Sequence, residues 1–208
     1  MLFSTEDISY YKLKKIIGII DRILFKKNLN SKNKYVNIGC GINLIKNFEN
    51  IDFYSFKFWK KTDIIRTDLN YKLPYKEEIF FGAVCEHTLE HFNDEKIIHI
   101  MKETKRILKK DGIFRIIVPD LEKYIKFYTG EYNHEEFSKF HNKADAISHL
   151  TQRFGHKTCL DFNKIKYLLE ESGFKNIEEK SFKQGFNELS IHDSPDRSWN
   201  SLYVEATK

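Results

Sequence analysis

Lys34-Tyr35-Val36-Asn37-Ile38-Gly39-Cys40-Gly41 is the stretch on which the fold turns. A short apolar run, Tyr35 to Ile38, ends abruptly at two glycines that flank one cysteine. That is the pattern of a buried strand running into a tight turn. Glycine lets the backbone bend there and approach a neighbour with no Cβ in between. By itself such a turn also suits a purely structural role, so its meaning depends on the strands and polar residues around it.

Further strands are expected at residues 48–52, 62–66, 79–85 and 113–118, each short, apolar and ending near a polar residue. The clearest helix is 94–110, with Asn93 as its cap, Asp94 and Glu95 in its first turn, and Lys109 and Lys110 at its end. Shorter helices are expected at 121–128 and at 162–171, the latter stopped by Gly173. Residues 130–158 are polar, rich in histidine and irregular in pattern, and two last strands alternate over 175–182 and 202–206. Strands separated by helices imply βαβ units, hence an α/β fold with a mostly parallel sheet. Ahead of it, residues 8–25 read as a basic amphipathic helix, followed by a polar linker. The expected organisation is an N-terminal helix and linker over 1–30 and one domain over 31–208, with an insertion at about 121–160. No internal repeat is visible.

Sheets of this kind bind ligands beyond the carboxyl ends of their strands. Four successive strand ends carry suitable groups. Asp52 can accept the hydroxyl hydrogens of a ribose, and Asp68 with Leu69 can bond an adenine amino group and cover its ring. Glu86-His87-Thr88-Leu89-Glu90-His91 follows the fourth strand, and Pro119-Asp120 the fifth. The third glycine of the dinucleotide fingerprint is missing, with Leu44 in its place.

With these residues in view, the chain resembles the class I S-adenosylmethionine-dependent methyltransferases. It is most similar to the small bacterial type associated with surface-polysaccharide biosynthesis. The resemblance rests on VNIGCG (36–41), FENID (48–52), RTDLNYKLPY (66–75), AVCEHTLEHF (83–92), ETKRILKKDGIFRIIVPDLE (103–122), LLEESGF (168–174) and SLYVEA (201–206), in the family's order. It implies a Rossmann-like seven-stranded sheet with an antiparallel last strand and helices on both faces. It further implies S-adenosyl-L-methionine as cofactor, with Asn37, Gly39, Cys40 and Gly41 around its methionine part, Asp52 on the ribose and Asp68 and Leu69 on the adenine. Cys85, Glu86 and His87 would line the pocket near the sulfonium. Two departures stand out. Asn37 replaces an acidic residue common in the glycine motif, and the segment between Gly41 and Asp52 is too short for a full first helix.

On the acceptor side, the resemblance puts a lid over the pocket at the 121–160 insertion, which carries His134, His141, His149 and His156. A hydroxyl acceptor needs a base or a metal ion, and Asp120, His149 and His156 are the candidates for either role. His134 and His141 read as surface residues, and Glu90 and His91 as fixing the start of the 94–110 helix. Phe127, Tyr128, Tyr132, Phe137, Phe140 and Phe154 read mainly as packing. His156 with Cys159 lacks the second close ligand pair of a structural zinc site, and a divalent metal stays an open expectation.

Composition narrows the function classes. No apolar run reaches the ~20 residues that span a bilayer, which leaves weak peripheral membrane contact through the basic N-terminal helix. Three cysteines without a CxxC pair argue against a disulfide framework and for a reducing cytoplasm. A net charge of +5, spread over the chain, gives a poor footprint for nucleic acid. The expected function is O-methylation of a sugar or nucleotide-sugar in glycan biosynthesis. Its rivals are an RNA or other small-molecule methyltransferase, a non-catalytic partner subunit, and a nicotinamide-dependent oxidoreductase.

Overall fold

The computed structural model describes residues 29–53 and 64–208. The expected N-terminal helix and the first two residues of the third expected strand lie outside them. Seven strands form one sheet: β1 (Tyr35–Ile38), β2 (Phe48–Asp52), β3 (Ile64–Arg66), β4 (Phe80–Glu86), β5 (Leu108–Pro119), β6 (Lys175–Lys180) and β7 (Ser201–Thr207). Their order is β3-β2-β1-β4-β5-β7-β6. The five strands from β3 to β5 pair in parallel, and β7 runs antiparallel to both β5 and β6. The chain order reverses between β1 and β4, so the crevice beyond their carboxyl ends is the switch point where such sheets take ligands.

One face is covered by α1 (Asp94–Ile107) and, beyond the insertion, by α4 (Phe162–Glu171). Ile97, Ile100 and Met101 of α1 and Ile165, Leu168 and Leu169 of α4 are buried against Ile38, Ile51, Cys85 and Ile116 of the sheet. Asn93 caps α1 by accepting from the Lys96 amide (3.1 Å), and Asp161 caps α4 through Lys164 (2.8 Å). The helix expected over 94–110 ends at Ile107. Leu108 turns extended because it is fully buried opposite Phe80 of β4, so Lys105 and Arg106 occupy the last turn.

The insertion is more regular than its sequence suggests. It contains α2 (Leu121–Thr129), a 3-10 turn at Glu135–Lys139, and α3 (Lys143–Gln152), capped by Asn142. Phe137 sits at the centre of a satellite core with Tyr124, Ala146 and Leu150, and stacks on Phe127 at 4.2 Å. Only Ala146 and Leu150 of α3 are buried, which is too few apolar positions to reveal a helical period.

The opposite face of the sheet is roofed by the segment between β6 and β7, which includes the one-turn α5 (Asn187–Ser190). Leu189 packs with Phe48, Val84, Ile117 and Tyr203. A buried ion network pins this segment down. Arg115 of β5 is fully buried, and its Nε and Nη2 donate to both carboxylate oxygens of Asp193 (2.7 and 2.6 Å). Its Nη1 donates to Glu205 of β7 (2.8 Å) and to the Gln184 carbonyl (3.0 Å).

Candidate active site

Gly39 and Gly41 both adopt positive φ (68° and 52°), where a side chain is strained. The Gly39 and Cys40 amides donate to the Ile51 carbonyl (2.9 and 3.1 Å), and the Gly41 amide donates to Asp52 Oδ2 (2.9 Å). Asp52 therefore ties the glycine turn to the end of β2. A Cβ at Gly39 would overlap the Thr88 side chain, whose hydroxyl shares its proton between the Gly39 and Glu86 carbonyls. The ends of β1 and β4 are thereby clamped together.

No helix connects β1 to β2. A buried amide pair does its work instead. Asn37 Nδ2 donates to the Asn43 carbonyl (2.8 Å) and to Asn50 Oδ1 (3.0 Å). Asn50 in turn accepts from the Ile45 amide and donates to the Ile45 carbonyl, both at 3.0 Å. The short linker seen in the sequence is thus a laced loop.

Above this loop lies a cavity of about 420 Å³, lined by Asn37, Gly39 and Cys40 from the turn, Val84 and Glu86 from β4, and His192 and Ser194 from the roofing segment. Its size is that of a small-molecule pocket. Glu86 accepts from the Ser194 hydroxyl (2.7 Å) and amide (3.3 Å). Burial pushes its carboxyl above the usual range, against the pull of Ser194 and Arg197. Burial pushes Cys40 up to about 12, with Asp52 adding to it, so the thiol stays protonated. Cys85 is not at this wall. It is fully buried on the opposite face of β4 from Val84, among the main core, as alternation along a strand requires. Asp68 Oδ1 accepts from the Asn70 amide (3.0 Å) in the loop after β3, and Leu69 beside it packs into the main core.

A second group of polar residues follows β4. His87 has a positive φ of 46°, an uncommon backbone state for a side-chain-bearing residue. Its Nε2 lies 2.8 Å from Ser201 Oγ. Ser201 donates its own proton to the Arg197 carbonyl (2.7 Å), so Nε2 carries the hydrogen and Nδ1 keeps a lone pair. That Nδ1 lies 3.7 Å from Glu90 Oε1. Burial holds His87 neutral, lowering it to about 3 with help from Arg197. Glu90 is 2% exposed, its Oε2 has no hydrogen-bond partner, and burial pushes its carboxyl up to about 8.

His156 belongs to the same group. Its Nδ1 lies 2.6 Å from the Leu150 carbonyl and its Nε2 3.9 Å from Glu90 Oε1. The His91 ring meets His156 edge-on at 5.0 Å. His149, in α3, sits between the Phe140 and Phe154 rings (5.1 and 5.6 Å), and burial lowers it. Asp120 is engaged elsewhere: it caps α2 by accepting from the Glu122 amide (2.9 Å), and burial raises it. Of the three acceptor-side candidates, only His156 joins the Glu90 group. Sequence reasoning missed His192, Ser194 and Ser201, because the roofing segment has no periodicity to place them. It also treated Glu90 and His91 as parts of a helix junction.

A family model described as a methyltransferase domain matches residues 37–116. Solved structures agree over almost the whole chain. A SAM-dependent methyltransferase from Archaeoglobus fulgidus superposes with TM-score 0.54 at 17% identity, covering 94% of each chain. The chain has the class I methyltransferase fold. A protein from Thermotoga maritima described as a possible histamine N-methyltransferase gives 0.53 at 16% identity, over 98% of this chain and 95% of that one. A SAM-dependent methyltransferase from Mesorhizobium loti gives 0.52 at 17%, over 91% and 96%. No curated protein matches. The methyltransferase fold accounts for the position of the switch-point crevice and the antiparallel β7. Among the described residues, no helix is long and apolar enough to cross a membrane.

Proposed function

We propose that this chain is an S-adenosylmethionine-dependent O-methyltransferase acting on a sugar or nucleotide-sugar hydroxyl. The supporting observation is the set of hydrogen-bond acceptors around the switch point. Asp52 stands at the end of β2, Asp68 follows β3, and the half-buried Glu86 faces the cavity from β4. Carboxylates suit the ribose hydroxyls, the adenine amine and the cationic end of S-adenosylmethionine, and the glycine turn brings backbone amides close. When bound, that cofactor supplies a methyl group made electrophilic by its sulfonium.

The protein's part is to place an acceptor oxygen in line with that methyl and to remove its proton. His156 is suited to the second task. Its Nδ1–H bond to the Leu150 carbonyl leaves Nε2 as the basic nitrogen. His149 stands in the same insertion, whose first helix, α2, is capped by Asp120. The sugar class rests on the sequence resemblance to polysaccharide-associated enzymes.

Calorimetry with S-adenosylmethionine tests the cofactor assignment. Asp52→Ala should weaken binding by about 10- to 100-fold, the loss of charge-assisted bonds worth roughly 1.5–3 kcal/mol. Wild-type affinity in that variant would refute the ribose assignment. Single-turnover methyl transfer to a panel of nucleotide sugars tests the acceptor. His156→Ala should slow transfer by roughly 10²–10⁴-fold with cofactor affinity kept.

A further inference from the structure

We propose that Glu90, His91 and His156 form a binding site for one divalent transition-metal ion of the zinc class. A ligating oxygen of Glu90 and one ring nitrogen from each histidine all lie within 4.8 Å of one another. Around a tetrahedral ion with bonds of about 2.0–2.1 Å, ligand atoms stand about 3.4 Å apart. Glu90 Oε1 and His156 Nε2, at 3.9 Å, are already near that separation.

Three further observations point to a cation. Glu90 Oε2 is a buried carboxylate oxygen without a partner, in a residue only 2% exposed. A buried polar oxygen without a partner is costly, and a metal ion that replaces the carboxyl proton would satisfy it. His156 is also set for ligation. The Leu150 carbonyl accepts from the His156 Nδ1–H, which turns the Nε2 lone pair toward Glu90. A backbone carbonyl on the far nitrogen is the usual support of a metal-bound imidazole. Finally, the loop that delivers His156 is held in place at a cost. Phe154 and Gly155 take successive positive φ values (62° and 75°), and the Lys157 and Thr158 amides donate to the Glu90 carbonyl at 2.8 and 3.3 Å. Glu90 and His156 are far apart in sequence, yet their backbones are joined beside their side chains.

The donor set selects the ion. Two imidazoles and one carboxylate suit zinc, iron(II), cobalt(II) or manganese(II), whereas magnesium and calcium prefer an all-oxygen shell. Three protein ligands leave a fourth position open to water or to an acceptor oxygen, the arrangement of catalytic metal sites. Held by the ion, His156 Nε2 would serve as a ligand in place of its role as free base, and whether the ion then serves methyl transfer rests on the proposed methyltransferase function. Its binding does not.

The test uses the full untagged chain, stripped with a chelator. Zinc titration by calorimetry should give one site per chain, and cobalt(II) should give visible ligand-field bands of a four- or five-coordinate site. His91→Ala, His156→Gln and Glu90→Gln should each weaken zinc binding at least ~100-fold. His141→Ala, an exposed histidine outside the group, should leave it unchanged. Absence of stoichiometric zinc and cobalt binding by the wild type overturns the proposal without reference to any variant. So does wild-type affinity in a folded His91→Ala/His156→Gln double variant. Calorimetry with S-adenosylmethionine on the metal-free protein separates the two readings: metal bound without cofactor sinks the methyltransferase proposal and spares this one.

Discussion

Replacing Asp193 with asparagine tests how the roof over the second sheet face is held. The carboxylate is completely buried and receives three hydrogen bonds, two from Arg115 (2.7 and 2.6 Å) and one from the Lys183 amide (2.7 Å). The substitution keeps the shape but removes the charge facing a guanidinium that has no access to water. Two charge-assisted bonds at roughly 1.5–3 kcal/mol each suggest a loss of about 3–6 kcal/mol. Broken buried ion pairs typically cost about 3–5 kcal/mol, which agrees. Against a typical total stability of about 5–15 kcal/mol, that is a fifth or more. In urea, with a slope of about 2–3 kcal/mol/M, the midpoint should fall by about 1–3 M. His192 and Ser194 flank Asp193 and line the cavity, so ligand affinity should fall in the same variant even under conditions where it remains folded. A double-mutant cycle with Arg115→Met should show strong coupling between the two. A midpoint shift below about 0.3 M would refute the reasoning. It would mean that apolar packing by Leu189 and Tyr203 holds the segment without the ions.

Gly39→Ala should abolish measurable S-adenosylmethionine binding, because its Cβ overlaps Thr88 at a positive-φ position; partial recovery in Gly39→Ala/Thr88→Gly, read by calorimetry, would confirm the steric cause, and unimpaired binding in the single variant would contradict it. For Glu86 the folded carboxyl is raised by burial, so its stabilising protonated form is favoured at low pH and lost as pH rises through the raised value. Glu86→Gln should therefore raise the urea midpoint at about pH 7.5, with the gain shrinking as the pH falls toward about 5, while cofactor affinity drops. A gain that does not vary with pH would argue against the desolvation account.

The order of the strands and of α1, α2 and α4 was legible because these elements carry their own period, and α1 and α4 carry their own caps. The end of α1 falls at Ile107 rather than at Lys110. Lys109 and Lys110 look like a favourable helix terminus, but burial of Leu108 in the sheet outweighs that local preference. Helix α3 stayed hidden because a satellite core asks for only two buried residues from it. Arg115 lies in an apolar run, and nothing local says that its charge is matched by carboxylates 78 and 90 residues further on. The glycine turn and Asp52 were readable because they are adjacent to strands that declare themselves. The Glu90, His91 and His156 group was not, since its closeness depends on where the insertion folds back.

The laced loop between β1 and β2 changes how the protein should respond to warming. A helix in that place would melt with the domain, since its packing and its hydrogen bonds would be lost together. Two buried asparagine side chains hold the loop instead, through a handful of bonds at the edge of an otherwise well-packed sheet. Such a buckle can open by itself while the sheet stays intact. Grip on a ligand would then fade at a temperature where the fold is still whole, and recover fully on cooling. The upper thermal boundary of activity would be set by two amide groups, well before the hydrophobic core reaches its own limit.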